Sequence, residues 1–261
     1  EKVNSKFVLA EKFKTYWFDQ GAEINVFDLN QVRYGENRKG KALMVFVSES
    51  FNADKLVKAD DYKKNNIPVL KLNFLKKFTT GVYEYTMMTS DFFPLNGEDH
   101  ALKITSSSQE WCGHTFMQLE RRKDYRVLLH SYFESEGEQD IKLEQNALED
   151  DLFNQIRVSP DMLPIGEVEM IPSFFYLRLK HKELKAEKAI SSIKAYSDSS
   201  NVYHLEYPSH KRTIKIIYSK NRPHNILGWE ESYPESWTDN SNVMTTRATL
   251  SKQMRLKYWE K

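Results

Sequence analysis

The chain of 261 residues has one cysteine, nine glycines and eight prolines, and its 38 Lys plus Arg nearly cancel its 37 Asp plus Glu. Each shortage excludes something. A single cysteine forbids an internal disulfide, so cysteine usage does not fix the redox compartment. Few glycines argue against a glycine-rich nucleotide-binding α/β fold, and no glycine loop of the kind that cradles phosphate is present. The near-zero net charge argues against a dedicated nucleic-acid binder, which carries a clear basic excess. No apolar run approaches the roughly 18 residues of a membrane-spanning helix. The seven histidines (His100, His114, His130, His181, His204, His210 and His224) include no helical i, i+4 pair, so neither a metal nor a cofactor is expected.

Aromatic residues, by contrast, are plentiful: 14 Tyr, 15 Phe and 5 Trp, or 13% of the chain. An aromatic-rich, glycine-poor composition suits long strands joined by polar turns. Residues 7–19 place Phe7, Ala10, Phe13, Lys14 and Trp17 at three- and four-residue spacing, which predicts a short amphipathic helix. Beyond it the period changes to two. Strands are predicted at 22–32, 43–51, 69–78, 82–93, 102–121 (one strand or two, broken near Gly113), 125–134 and 141–145. Asn146 and Glu149 stand as a capping box for a helix over 147–158, closed by Ser159-Pro160. The β pattern then resumes, with strands predicted at 174–179, 189–196, 202–207, 213–218, 226–233 and 243–258. The expectation is a mainly β fold: a long, curved antiparallel sheet, half-barrel or barrel-like, with a few short helices. It is a single β-rich domain, or two halves pivoting at the helix 147–158.

Many strands are apolar on both faces, so the sheet is covered on both or encloses a groove. Tyr83, Tyr85 and Met87 share one strand face, and Trp229 and Tyr233 share another; with Trp111 they are the candidate lining of a site for a lipid or other apolar ligand, or else they are core. The densest chemistry lies in Ser106–His114, which holds three serines, Gln109, Glu110, Trp111, the lone Cys112, Gly113 and His114. On an unbroken strand Glu110, Cys112 and His114 share a face at about 6.5–7 Å spacing. A thiol beside an imidazole is the minimum for an activated nucleophile, which makes these three the candidate residues of a thiol-dependent hydrolase or transferase. The alternative has Trp111 in the core, Cys112 as a small buried hydrophobe, and Gly113 as a bulge that splits Cys112 from His114.

Four segments carry a resemblance: Tyr34-Gly35-Glu36, Lys71-Leu72-Asn73-Phe74, Tyr85-Thr86-Met87-Met88-Thr89-Ser90, and Thr105 to His114. Through them the chain resembles a poorly characterised group of envelope proteins of Bacteroidetes-type bacteria, over roughly residues 16–135 and loosely beyond. The resemblance implies an exported protein, often a lipoprotein, in the periplasm or associated with the outer membrane. The first residue, Glu1 rather than Met, fits a removed signal peptide or lipoprotein leader, and with it a membrane attachment; it also fits an expression boundary. Some members of the group carry the name septum formation inhibitor Maf. True Maf proteins are α/β nucleotide pyrophosphatases with a Ser-Pro-Arg-Arg-type loop, which this sequence lacks, so that activity is not expected. Three readings remain open: an envelope protein binding an apolar or amphiphilic ligand in the concavity of the sheet, a thiol enzyme at Cys112 and His114, or a structural and assembly module.

Overall fold

The computed structural model describes residues 11–18, 21–61, 65–235 and 242–260. The elements are α1 (Glu11–Trp17), β1 (Ala22–Arg33), β2 (Glu36–Asn52), β3 (Val57–Lys58), β4 (Asn66–Thr80), β5 (Tyr83–Pro94), β6 (Lys103–Glu110), β7 (Gly113–Arg121), β8 (Tyr125–Ser131) and β9 (Glu138–Leu143). After them come β10 (Ala147–Leu148), α2 (Leu152–Val158), β11 (Gly166–Ile171), α3 (Phe174–Lys180), β12 (Glu187–Ala195), β13 (Ser200–Tyr207), β14 (Arg212–Ser219), β15 (Ile226–Pro234) and β16 (Val243–Leu256). Phe7 and Ala10 of the predicted first helix lie outside the described residues; Phe13 and Trp17 of α1 are buried.

All the strands form one sheet in the order β10-β11-β12-β13-β14-β15-β16-β1-β2-β4-β5-β6-β7-β8-β9, with β3 paired to β2. Neighbours are antiparallel except β10 with β11. The predicted mainly β architecture is therefore what forms: a large, curved, unclosed antiparallel sheet with three short α-helices among the described residues. Its two edge strands, β9 and β10, are separated by only residues 144–146, so the sheet curls until its edges lie within one short loop of each other. The first and last strands, β1 and β16, pair in the middle of the sheet, where residues 23–30 of β1 are held between β2 and β16.

The concave side is filled. In α2 and α3 nearly every side chain is buried, and their partners come from both halves of the sheet: Arg157 binds Glu23 of β1, Asn154 binds Asp91 of β5, Arg178 binds Glu110 of β6, and Phe153 packs on Trp229 of β15 at 5.9 Å between ring centroids. Both helices therefore plug the sheet. The main apolar core joins Phe27, Phe46, Phe74, Tyr85 and Met87 of the first half to Tyr203, Leu205, Ile216 and Trp229 of the second, with Leu152, Ile156 and Phe175 of the helices between them.

Two local expectations are corrected and one open alternative is decided. Residues 174–179, read as a strand, form α3. Six consecutive buried side chains leave no polar face to reveal a helical period. The signals are at its ends: the Ser173 side chain accepts from the Phe175 N–H at 3.3 Å, Asp150 accepts from the Phe174 N–H at 3.0 Å, and His181 closes the helix at φ 48°. The predicted helix 147–158 is shorter. Ala147 and Leu148 pair with β11, residues 149–151 make a 3-10 turn with no side-chain cap, and only Leu152–Val158 is α-helical. Glu149 is drawn off its capping role by Arg212, whose guanidinium grips both of its oxygens at 2.6 Å. Of the two readings of residues 102–121 the second holds: they are two strands, broken at the Trp111-Cys112 turn beside Gly113.

Candidate functional site

Consecutive hairpins put their connections at alternating ends of a sheet. At one end lie the β1–β2 turn (Tyr34-Gly35), the β4–β5 turn (Gly81-Val82), the β6–β7 turn (Trp111-Cys112) and the start of the β8–β9 connection (Tyr132). Each of these tips carries an exposed apolar side chain: Tyr34 is 52% exposed, Val82 84%, Trp111 75% and Tyr132 76%. Trp111 is thus no core residue. The rings run on from one another. The Tyr34 hydroxyl meets that of Tyr85 at 2.9 Å, the Tyr83 ring lies 5.8 Å from that of Tyr85, and Trp111 stacks on Tyr83 at 5.8 Å and 26°. Tyr132 covers the backbone of Gly113, where a Cβ would fall 2.6 Å from the tyrosine ring.

Polar residues hold this rim from behind. Arg33 donates to the hydroxyls of Tyr34 and Tyr85 at 3.1 and 3.2 Å and to the Leu179 carbonyl at 2.5 Å. Glu110 accepts from the Cys112 N–H at 2.7 Å and from Arg178 of α3 at 2.9 Å. That carboxylate braces a two-residue turn whose central residues, Trp111 and Cys112, lack the positive φ that hairpin turns favour. The candidate catalytic set is taken apart by the same turn. Glu110 faces inward and is buried; His114 pairs with Gln109 on the outer face and is exposed; Cys112 sits exposed at the tip between them. No hydrogen bond joins the thiol to the imidazole among the described residues, and the supposed bulge at Gly113 is the first residue of β7.

The other candidates lie deeper. Tyr85, Met87 and Trp229 are packed in the main core, and Tyr233 in a second cluster with Tyr176 and Phe174. Trp229 and Tyr233 also line a cavity of about 40 Å³ between the sheet and α3, which the sequence analysis did not foresee. Its walls are mostly apolar (Phe74, Phe175, Ile214 and Trp229 among them) and carry five ionisable side chains: Lys76, Glu149, Asp150, Arg212 and Glu231. Arg212 and the two glutamates satisfy one another: besides the paired bonds to Glu149, the guanidinium donates to Glu231 at 2.7 Å, and the Tyr207 hydroxyl donates to Glu149 at 2.9 Å. Tyr176 closes over this guanidinium at 3.9 Å. Burial pushes the Asp150 carboxyl up to about 7, against the bond it accepts from the Phe174 N–H and with the help of the Glu149 charge.

Lys76 is different. It is 4% exposed and has neither an ion pair nor a hydrogen bond among the described residues. Its ammonium is surrounded by the rings of Phe175 at 5.1 Å, Phe74 at 5.3 Å and Trp229 at 5.8 Å. Burial lowers its pKa, only partly offset by the charge of Glu231. One signal in the sequence pointed here: the inward positions of β4 read Leu70, Leu72, Phe74, Lys76, Phe78, and a lysine in such a row is out of place.

A second buried acid group, Asp91 with Asp151, ties α2 to β5 and to the 99–101 segment through Asn154 and the Ala101 N–H. A wider groove of about 390 Å³ along β11 and β12 is lined by Glu167, Glu169 and Lys188, all exposed, and gathers no buried polar group.

Comparison with protein-family models and with curated proteins found no match. Among solved structures, the chain is similar to the beta-barrel-like protein of the domain of unknown function DUF1849 from Brucella abortus, at 7% identity and a TM-score of 0.41 over 90% of this chain and 97% of that one.

Proposed function

We propose that this is an exported, non-enzymatic envelope protein whose aromatic rim docks on a lipid surface. The observation that carries the reading is that four successive hairpin tips at one end of the sheet each end in an exposed apolar side chain, with the rings of Tyr34, Tyr85, Tyr83 and Trp111 running on from one another. Solitary exposed hydrophobes are ordinary; a contiguous band is not. Tyrosine and tryptophan, apolar bodies with a polar edge, suit the boundary between headgroup and acyl chain. The tips themselves are uncharged and are followed by Glu36, Glu84 and Glu134, so apolar insertion rather than attraction to anionic lipid drives the contact. An amphiphile engages the rim and not the deep concavity, because α2 and α3 already occupy that space. In this reading Tyr83 and Trp111 face the amphiphile, and the buried Tyr85 and Met87 support the rim from beneath. Export and envelope location rest on the family resemblance.

The test is co-sedimentation with zwitterionic phosphatidylcholine vesicles, with brominated acyl chains as quencher of tryptophan fluorescence. Binding that survives high salt, with quenching that disappears in Trp111→Phe, is the expected result. Absence of vesicle binding by the intact chain would overturn the proposal and leave the rim to a protein partner.

A further inference from the structure

The cavity behind α3 calls for a separate reading, independent of the rim. Buried charges in proteins are paired or hydrogen-bonded, since an isolated one is costly. Here Arg212, Glu149 and Glu231 obey that rule, and Lys76, within the same cavity wall, does not. Its amine meets only aromatic faces and the cavity, and a carboxyl group, Asp150, lines that cavity too. We propose that Lys76 is a nucleophilic amine that captures a small aldehyde as an imine, with Asp150 as the proton donor.

The step balances without a redox partner. The Nζ lone pair forms a bond to the carbonyl carbon while the carbonyl oxygen takes a proton. That first proton comes from the nitrogen; the resulting carbinolamine loses the oxygen as water, with its second proton supplied by the Asp150 carboxyl, and the nitrogen returns its last extra proton to the Asp150 carboxylate once the C=N bond has formed. Amine plus aldehyde gives imine plus water. The environment serves both partners: desolvation favours the free amine on Lys76, and the same burial keeps a proton on Asp150 near neutral pH. The cavity of about 40 Å³ sets the size of the ligand. One water needs about 10–15 Å³ by the same measure, so the space takes an aldehyde of about three heavy atoms and no aromatic one.

The experiment is reductive labelling of the intact, folded chain with limiting acetaldehyde and cyanoborohydride at neutral pH, followed by peptide mapping. Lys76 is expected to label at least about tenfold ahead of the exposed Lys41, because burial lowers its pKa and leaves more of it as the free amine. In denaturing urea the preference vanishes. Lys76→Met removes the early label, Asp150→Asn slows it while Lys41 is unchanged, and benzaldehyde gives no preference. Lys76 left unmodified in the folded chain, labelled in step with Lys41, or still preferred in urea would each overturn the proposal, and an unchanged rate in Asp150→Asn would remove the proton donor from it.

Discussion

At the rim, Trp111 and Tyr132 stand three-quarters exposed on the tips of neighbouring hairpins; behind α3, Lys76, Arg212, Glu149 and Glu231 are almost wholly shielded from water. The first region leaves aromatic surface wet that a fold would rather bury, and the second buries charge that a fold would rather leave wet. Neither arrangement is required by the sheet, whose core is already built from Phe27, Phe74, Tyr85, Tyr203 and Trp229. The two departures differ in how they are supported. The rim is braced from below by hydrogen bonds of Arg33 and by the Arg178–Glu110 pair. In the interior, the arginine is fully partnered and the lysine is not, so two cations in one cavity wall serve different ends: Arg212 fastens the 3-10 turn after β10 to β14 and β15, and Lys76 contributes nothing comparable to stability.

Mutation separates those two roles. Arg212→Met leaves Glu149 and Glu231 buried without a counter-charge and is expected to destabilise the fold by about 3–5 kcal/mol, read as a drop in urea midpoint. Lys76→Met removes a charge that has no partner and keeps its apolar contacts, so the same measurement is expected to show a stability unchanged or raised by about 1 kcal/mol. A large loss in Lys76→Met would mean that the aromatic cage pays for the buried ammonium, and the contrast with Arg212 would collapse.

Asp150 sharpens the interior side through pH. Its carboxyl titrates at about 7 in the folded chain against 3.8 ordinarily. Because the folded value is the higher one, the folded state holds the extra proton between them, and this group makes stability fall as pH rises from about 4 to 7. Below that window both states are protonated and the penalty is absent; above it the penalty is complete, at most roughly 4 kcal/mol. Asp150→Asn is expected to flatten that part of the urea-midpoint profile against pH. An unaltered slope would place the titration elsewhere, with Asp91 the next group to test, since burial and the charge of Asp151 also raise its pKa.

The two regions were not equally legible in the sequence. Period-two alternation gave the strands and the antiparallel class, because long half-buried strands such as β4 and β13 write their inward face plainly. It failed where burial is total: α3 has no exposed side to mark its period. It failed again at the β6–β7 tip, because Trp111-Cys112 is no turn sequence; a carboxylate from Glu110, itself fixed by Arg178 some seventy residues away, takes the place of the missing glycine, and no local pattern carries that information. The same failure left one strand or two open over 102–121, and on the unbroken alternative it put Glu110, Cys112 and His114 on a common face. Alternation had it right as far as Glu110 and wrong beyond the turn. Lys76 was readable as an anomaly within β4, but its aromatic cage comes from β15 and α3, and only the curvature of the sheet brings them together.

The rim is the gentler test, because its exposed side chains have little hold on the fold. Trp111→Ala with Tyr132→Ala removes two exposed rings, and surface substitutions of this kind alter stability by about 0.5 kcal/mol or less. Inserting one such side chain into an apolar environment is worth about 1.5–3 kcal/mol, so the double variant is expected to weaken vesicle partitioning by at least tenfold while its urea midpoint stays near that of the parent. Gly113→Val provides the finer check. Its side chain displaces the Tyr132 ring from the Gly113 backbone and leaves Trp111 on Tyr83, so partitioning falls by less than in the double variant. If Gly113→Val binds vesicles as the parent does, Tyr132 has no part in the contact and the rim narrows to Tyr34, Val82 and Trp111; if the double variant binds unchanged, the exposed band has no role toward lipid, and the contrast between a working surface and a working interior rests on Lys76 alone.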